Sequence, residues 1–445
     1  MGGVTTVIMA VGGLAAAIVA LLVLRAAPRL AVALWLLVLF FVPVWVGVSV
    51  GPFWSAITAV TVLMIMTCSR SIELSPADGI MAAFGLLIVA QYALGLVSLS
   101  GAVIALTEWL LPYVWGRLVL TRVSLDFLVR AVALVAGVAA ALALLEATTS
   151  VNPFVLISWG AADIYEIWSP LQPRGGLTRV EGAFGHSIAL GATLSMCAAF
   201  VLAAKWRLQV RLLLLVTIAA AILLTLSRIG LVTFVITVAL SIIVLPGLTR
   251  LARLLIAAAG LATALFIVPI VNDVFLEAGQ EAGGSAGYRL DLLSLGPVLR
   301  PFGAAPDIAG LTVGGDYLGT FSRSIDNALL VVAMRVGWVA ALLLVAVLIA
   351  ATVQMLRRRG ANAANIAIAG QIPGLFAVAF ITQYSAFFWF AAGLAVAIGV
   401  ADRRRVPGRL PRLGSARSPQ TPAQPAAILN RISPERPEAA GGGST

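Results

Sequence analysis

The chain has 445 residues, of which 61% are hydrophobic and only 11% charged, with a formal net charge of +11 and a mean hydropathy of +1.06. Soluble domains carry roughly 25% charged residues, so this composition excludes a water-soluble fold and fits a lipid bilayer as the solvent. The positive charges fall at the ends of apolar runs and in the C-terminal tail, which indicates contact with lipid headgroups and argues against nucleic-acid binding.

Apolar runs long enough to cross a bilayer, about 20 residues each, recur along the chain. They predict an all-α polytopic transmembrane bundle of twelve or thirteen spans, with the short runs 53–68 and 384–400 deciding between the two counts. The predicted spans are 4–24, 30–50, 53–68, 79–99, 100–119, 131–147, 187–204, 211–226, 229–247, 254–271, 327–351, 362–382 and 384–400.

Clusters of basic residues fall on alternate connections between these spans, and basic loops stay in the cytoplasm. One assignment therefore satisfies all of them, with the C-terminus inside and, for thirteen spans, the N-terminus outside. The clusters are Arg25 with Arg29, Arg70, Arg117 with Arg122 and Arg130, Lys205 with Arg207 and Arg211, Arg250 with Arg253, and the runs 357–359 and 403–405.

Two of the outward connections are long, and long loops in a compact protein are usually functional or disordered. The tail is rich in proline, glycine, serine and arginine, which predicts a disordered cytoplasmic extension. The predicted parts are N-terminal membrane helices (1–147), a first outer loop (148–186), central membrane helices (187–271), a larger outer loop (272–326), C-terminal membrane helices (327–401) and a basic tail (402–445).

Three arginines are predicted to approach the outer face beside glycine-rich turns: Arg179, Arg228 and Arg289. A guanidinium group pairs with two phosphate oxygens at once, and exposed glycine amides bring further donors to the same anion. The pattern therefore predicts a site for a diphosphate at the lipid headgroup level. Arg174 and Arg323, in the same two loops, are further candidates.

Each of these arginines also fits a plainer structural interpretation. An arginine at a membrane surface commonly contacts a headgroup or forms a salt bridge. Arg228 interrupts a long apolar run, where an unpaired charge costs about 3 kcal/mol. The alternative is that 226–230 is a turn between two helices, which still places Arg228 on the side of the long loops.

Asp326 and Asn327 stand directly before a predicted helix. Either can cap that helix, and the same pair can act as a base that takes a proton from a sugar hydroxyl, with Asn327 orienting Asp326. His186, the only histidine, precedes another helix and is a cap, a headgroup contact or a base. Neither Cys68 nor Cys197 has metal-site spacing, so neither a metal nor a cofactor is predicted.

The middle of the predicted spans is nearly all apolar, with few polar exceptions: Gln91, Arg335, Gln371 and Gln383. Transporters place ionisable groups or broken helices near the bilayer midplane. The gathering of polar residues outside therefore favours chemistry at the surface over transport.

In residues 170–400 these motifs resemble the O-antigen ligase and O-antigen polymerase family. The features shared are an Arg-x-x-Gly-x-Phe turn from Arg179, a Thr-x-Ser-Arg segment ending at Arg228, a long outer loop with an internal arginine at Arg289, and Asp326-Asn327 before a helix with a distal glycine. Asp326 stands where ligases of the family carry histidine, which fits the polymerase branch better. Arg335 also departs, because the family often has an acidic residue two positions before the glycine matched by Gly337.

The resemblance implies a metal-independent, inverting glycosyltransferase in the bacterial plasma membrane, active on its outer face. It implies that Arg179 and Arg289 contact the diphosphate of an undecaprenyl-diphosphate-linked glycan, that Arg228 supports that site, and that the glycan passes to a hydroxyl of the acceptor, a sugar or a lipid. A polymerase that joins lipid-linked repeats into a surface or exported polysaccharide is the first expectation. The alternatives are a ligase that passes a finished glycan to a lipid, wall polymer or protein, and a flippase for lipid-linked sugars. Expected partners are membrane lipids and chain-length regulator or flippase proteins.

Overall fold

The computed structural model describes residues 12, 15, 17–174, 176–277, 292–306, 312–313, 316–317, 325, 327–357 and 360–404. It is 74% helical with almost no strand. Contacts divide the chain into a unit of residues 1–403 and a segment of residues 404–445. The predicted cytoplasmic tail lies outside the described residues beyond Arg404.

The helices, numbered in chain order, are connected by short turns and by a few longer segments. They are α1 (Ala17–Ala26), α2 (Pro28–Phe41), α3 (Ala56–Met66), α4 (Pro76–Ala93), α5 (Leu99–Ile104), α6 (Leu111–Leu118), α7 (Leu125–Thr149), α8 (Ala162–Trp168), α9 (Ser187–Ala203), α10 (Leu208–Leu224), α11 (Arg228–Val244), α12 (Arg250–Glu277), α13 (Ala328–Val336), α14 (Trp338–Leu356), α15 (Ala363–Gly370) and α16 (Thr382–Arg404). A π-helix, Ala105–Leu110, joins α5 to α6. Short 3₁₀ helices are Val119–Thr121, Pro153–Leu156, Gly182–Phe184, Leu292–Val298 and Gly374–Phe376. Antiparallel strand pairs are Gly47–Ser49 with Phe53–Ser55, Pro173–Arg174 with Leu177–Thr178, and Thr312–Val313 with Asp316–Tyr317.

Polar caps mark where several helices begin within this apolar chain. Ser75 caps α4 in a reciprocal capping box with Asp78, Ser124 caps α7 and Ser227 caps α11. In each case the serine oxygen accepts a hydrogen bond from a backbone N–H of the first turn that has no partner inside the helix. These serines therefore determine where the three helices begin, which the periodicity of the apolar residues alone does not.

Five helices in the described part of the chain are long and apolar enough to cross a membrane, or up to six if a bent pair counts as one span. The bent pair is α1 and α2, and the chain bends by 119° between them. The five are Pro76–Ala93, Leu99–Thr121, Leu125–Thr149, Trp338–Leu356 and Thr382–Arg403. The prediction of an all-α protein with several membrane-length apolar helices is thus confirmed. The count of twelve or thirteen crossings and the two long outer loops stay predictions.

The predicted span 327–351 is wrong as a single helix. The chain breaks at Gly337, whose φ of 90° belongs to the left-handed region and whose missing Cβ leaves room for the backbone of Pro301 and Phe302. Trp338 N–H then donates to Arg300 C=O at 3.0 Å. Arg335 therefore lies in the short helix α13, before the membrane-length helix α14, and not in the middle of a span.

The predicted spans 362–382 and 384–400 also differ from the structure. α15 ends at Gly370, a 3₁₀ turn follows, and α16 begins at Thr382, a non-glycine residue with a positive φ of 46°. The short span 384–400 is part of α16, whose apolar window is 83% buried, the largest share of the five. The most buried of the five helices thus corresponds to one of the two shortest predicted spans.

Three of the basic clusters meet at one end of the bundle. Arg122 donates to the carbonyls of Leu24 and Arg25, at 3.1 and 2.7 Å. Lys205 pairs with Asp126 of α7 at 2.9 Å. The loops predicted to share the cytoplasmic side therefore come together in space.

Glycines allow α16 to pack against α6 with direct backbone contact. A Cβ on Gly393 would overlap the carbonyl oxygen of Tyr113, and one on Gly116 would overlap that of Phe390. Such close approach is typical of membrane helix pairs that use small residues.

We expect Gly393→Ala to lower the free energy of unfolding by about 1–3 kcal/mol, because the methyl group meets rigid backbone. The measurement is unfolding by SDS titration in mixed micelles. Gly79→Ala is the matched control: its Cβ would meet nothing within 4 Å, so it should leave stability unchanged or raise it by about 0.5–1 kcal/mol. Equal stability of the two variants would contradict the proposed contact.

Candidate functional site: an arginine corner and a polar chamber

The segment between α7 and α9 folds into short elements that pack on the helix ends. The Trp45 indole N–H donates to Ile157 C=O at 2.6 Å, and Ala161 N–H donates to Trp45 C=O at 3.3 Å. Gly160 lies against that same carbonyl, where a Cβ would overlap it. The region predicted as the first outer loop is therefore anchored to the chain after α2.

Arg179 is held at the turn between α10 and α11. Its side chain is 7% exposed, and its Nε donates to Thr225 C=O at 2.9 Å. The next residue, Val180, donates its N–H to Leu224 C=O at 3.2 Å. The carbonyls at a helix C-terminus carry partial negative charge, so the end of α10 favours this guanidinium.

Arg228 lies on the same turn. It is the first residue of α11 and is exposed, and Ser227 caps that helix by accepting from Gly230 N–H at 3.1 Å. A turn between two helices is therefore confirmed, but it covers 225–227, and 228–230 already belong to α11. We call Arg179, Arg228 and the residues 224–228 the arginine corner, since Arg179 bonds to Thr225, three residues before Arg228.

A buried carboxylate, Glu146, fixes the backbone beside the corner. It accepts hydrogen bonds from Glu181 N–H at 3.1 Å, Gly182 N–H at 2.9 Å and Asn152 Nδ2 at 3.0 Å. Glu181 is fully buried, and its Oε1 accepts from Gln172 N–H at 3.3 Å. These carboxylates therefore set the path of the chain that presents Arg179.

His186 and Asn327 both cap helices. His186 Nδ1 accepts from Ile188 N–H at 3.2 Å, which makes Nδ1 the unprotonated nitrogen, and its ring lies edge-on to Trp168 with centroids 6.1 Å apart. Asn327 Oδ1 accepts from Leu330 N–H at 3.0 Å at the start of α13. The capping interpretation is confirmed for both, and a catalytic role stays a prediction.

The other predicted site residues are not placed. Arg289, Arg323 and Asp326 lie outside the described residues. Arg174 is described only through its backbone, in the strand Pro173–Arg174. Of the three arginines predicted to share one diphosphate, the structure brings Arg179 and Arg228 to one turn, and the convergence of Arg289 with them stays a prediction.

Two of the polar exceptions in the predicted spans satisfy buried groups. Gln91 Oε1 accepts from Gly303 N–H at 3.0 Å. Gln371 Nε2 donates to Ser195 Oγ at 2.6 Å, and that hydroxyl also lies 3.0 Å from Thr233 Oγ1. Gln371 follows the end of α15, so this polar network lies at the break before α16.

A polar chamber inside the bundle was missed by the sequence analysis. Its one acidic residue is Glu108, in the π-helix. It lies inside the predicted span 100–119 and should have been named among the polar exceptions. A π-helix inside an α-helical run frequently marks a functional site. The lining residues are Val44, Ser55, Ile57, Thr58, Thr61, Thr107, Glu108, Pro112, Thr382 and Ala386.

Gln383 connects this chamber to the chain that carries Arg179. It is fully buried next to Thr382, and its Nε2 donates to Val42 C=O at 2.8 Å and to Ala183 C=O at 2.9 Å. Ala183 follows Arg179 by four residues. The chamber and the arginine corner are therefore joined by one buried side chain and one short stretch of backbone.

Comparison with family models, with curated proteins and with solved structures finds no match to this chain.

Proposed function

We propose that the chain is a polymerase-type membrane glycosyltransferase that joins undecaprenyl-diphosphate-linked oligosaccharide repeats into a cell-surface or exported polysaccharide. The observation that carries the proposal is the arginine corner. A buried guanidinium, Arg179, is fixed by Thr225 C=O beside an exposed one, Arg228, in a protein with several membrane-length helices.

The corner suits a diphosphate because guanidinium binds two phosphate oxygens in a planar fork. The Thr225 carbonyl accepts a hydrogen bond from the Nε–H of Arg179, and this bond orients the plane of the guanidinium group. Neutralising the charge of a diphosphate makes it a better leaving group, and guanidinium can do so without a metal ion. Arg228 is exposed, and the proposal puts it at the level of the lipid headgroups.

In the proposed reaction, an acceptor hydroxyl attacks the anomeric carbon of the carrier-linked glycan. The bond from that carbon to the diphosphate breaks, and undecaprenyl diphosphate leaves with the electron pair. The hydroxyl proton passes to Asp326, oriented by Asn327, in the role that the sequence predicts for this pair. The site is proposed to face the outside of the bacterial plasma membrane, where lipid-linked repeats are displayed after a flippase delivers them.

The test is polymer formation by the purified protein in liposomes supplied with undecaprenyl-diphosphate-linked repeats. We expect longer glycans and released carrier diphosphate, in amounts that a chelator does not change. Transfer of a single glycan to an added lipid or peptide acceptor, without lengthening, would instead identify a ligase. Repeats that remain unchanged in every arm would overturn a glycosyltransferase function.

A flippase is the second candidate, and the breaks in the helices favour it. Discontinuous helices line substrate paths in many transporters, and here α15 and α16 are interrupted between Gly370 and Thr382. Translocation of fluorescent lipid-linked oligosaccharide across the liposome bilayer, with no change in glycan length, would support this candidate over the polymerase.

Arg228→Ala should raise the KM for the lipid-linked repeat about tenfold and leave the fold intact, because an exposed charge–phosphate contact contributes modestly. The measurement is polymer formation against repeat concentration. Adding salt should weaken wild type more than the variant, since exposed ion pairs are screened. An unchanged KM would remove Arg228 from the binding site.

A further inference from the structure

The chamber is small and faces two irregular helix segments. It has room for about one water molecule, which is also the room that a single hydroxyl group needs. On one side lies the π-helix with Thr107 and Glu108, and on the other lies the start of α16. Ser385 Oγ donates to Glu108 C=O at 3.3 Å, and Trp109 packs on Phe380 with ring centroids 6.2 Å apart. The π-helix and the start of α16 therefore contact each other beside the chamber.

The chamber presents more hydrogen-bond acceptors than donors. Thr61 and Thr107 donate their hydroxyl protons to carbonyls of their own helices, at 2.7 and 2.8 Å, so toward any other group they can only accept. The Glu108 carboxylate receives no hydrogen bond from the described part of the chain. A group that fills the chamber must therefore donate a proton.

Two hydroxyl groups of the lining can still donate. One belongs to the pair Ser55 and Thr58, whose oxygens lie 3.0 Å apart and use only one proton between them, and the other is Thr382. Thr382 lines the chamber, and its Oγ1 is buried with no hydrogen-bond partner among the described residues. Its backbone φ of 46° is a conformation that β-branched residues rarely adopt. Such strain recurs at ligand-binding positions. A ligand group that both donates to Glu108 and accepts from Thr382 would satisfy both.

We propose that the chamber binds one hydroxyl group of the acceptor sugar, which donates to the Glu108 carboxylate and accepts from Thr382. This inference rests on the proposed glycosyltransferase function and adds an acceptor subsite to it. Gln383, which follows the chamber residue Thr382, donates to Ala183 C=O, and Ala183 lies four residues after Arg179. The chamber and the proposed diphosphate site therefore share one stretch of supporting backbone.

A monovalent cation is the competing occupant, because a carboxylate among hydroxyls can also coordinate sodium. The chamber has room for about one water molecule, which a single hydroxyl group fills. The sodium measurement below separates the two occupants.

The test measures binding of tritiated oligosaccharide, released by mild acid from the lipid-linked repeats, to the full-length protein in liposomes. Glu108→Gln should weaken binding about tenfold to hundredfold, because it replaces one accepting carboxyl oxygen with an N–H donor in a buried site. Thr107→Val, nearly the same shape, should weaken it less. Asp126→Asn, at the exposed pair with Lys205, is the control and should bind as wild type does.

Equal glycan binding by wild type and Glu108→Gln, or no binding by wild type, would overturn the inference. So would sodium-dependent thermal stabilisation of wild type that Glu108→Gln abolishes, since it would make the chamber a cation site. Glycan binding that depends on Glu108 in a protein that forms no polymer would retain the chamber as a sugar site and reject the proposed polymerase.

Discussion

Arg179→Lys should abolish polymer formation while the protein still inserts and folds in the membrane. Lysine keeps the charge but loses the planar fork, so it cannot hold Thr225 C=O with one N–H group while two parallel N–H groups face the phosphate. Loss of one preorganised donor to a developing anion costs about 100-fold to 1,000-fold in kcat. Arg179→Ala, which also loses the charge, should be at least as inactive.

The measurement is the rate of glycan lengthening in liposomes, with the amount of folded protein checked by thermal unfolding. Arg130→Lys is the control, because Arg130 is an exposed residue of α7 on the loop predicted to face the cytoplasm. It should lengthen glycans at the wild-type rate. A lengthening rate in Arg179→Lys equal to that of wild type would separate the arginine corner from catalysis.

The sequence predicts helix ends well where a polar residue interrupts an apolar run. The spans predicted as 211–226 and 229–247 are the helices Leu208–Leu224 and Arg228–Val244, because the polar residues Thr225, Ser227 and Arg228 lie in or beside the turn between them. It misses the break at Gly337, since apolar residues continue on both sides and only the positive φ and the close approach of Pro301 require glycine. Hydropathy indicates which residues are apolar enough to lie in lipid, but it does not show where the helix changes direction.

Some residues of the candidate site could be predicted from the sequence, and others could not. Arg228 was predicted because it interrupts an apolar run, and Arg179 because it stands beside a glycine-rich turn; the structure brings both to one turn. Glu108 and Glu146 are equally conspicuous as charges, but their roles depend on partners remote in sequence. Glu146 bonds to Gly182, 36 residues away, and the chamber places Glu108 opposite Thr382. A pattern of neighbouring residues in the sequence cannot show contacts between residues so far apart in the chain.

The segment that carries Arg179 depends on Glu146, and Glu146→Ala should release it. The substitution leaves two buried backbone N–H groups, of Glu181 and Gly182, and the Asn152 amide without their acceptor. Each unsatisfied buried donor costs about 1–3 kcal/mol, so we expect a loss of at least about 3 kcal/mol in the free energy of unfolding. Polymer formation should fall with it, because Arg179 would lose its fixed position at Thr225.

Two readouts separate this local effect from general instability. Limited proteolysis should cut within 150–186 in Glu146→Ala before it cuts elsewhere, and SDS titration should give the lower free energy of unfolding. Glu146→Gln keeps one accepting oxygen and should lose less than Glu146→Ala. Glu166→Gln changes an exposed carboxylate of the same segment and should match wild type in both measurements. If Glu146→Ala resisted protease as wild type does, the carboxylate would not be what holds this backbone, and the fixed geometry of Arg179 would need another source.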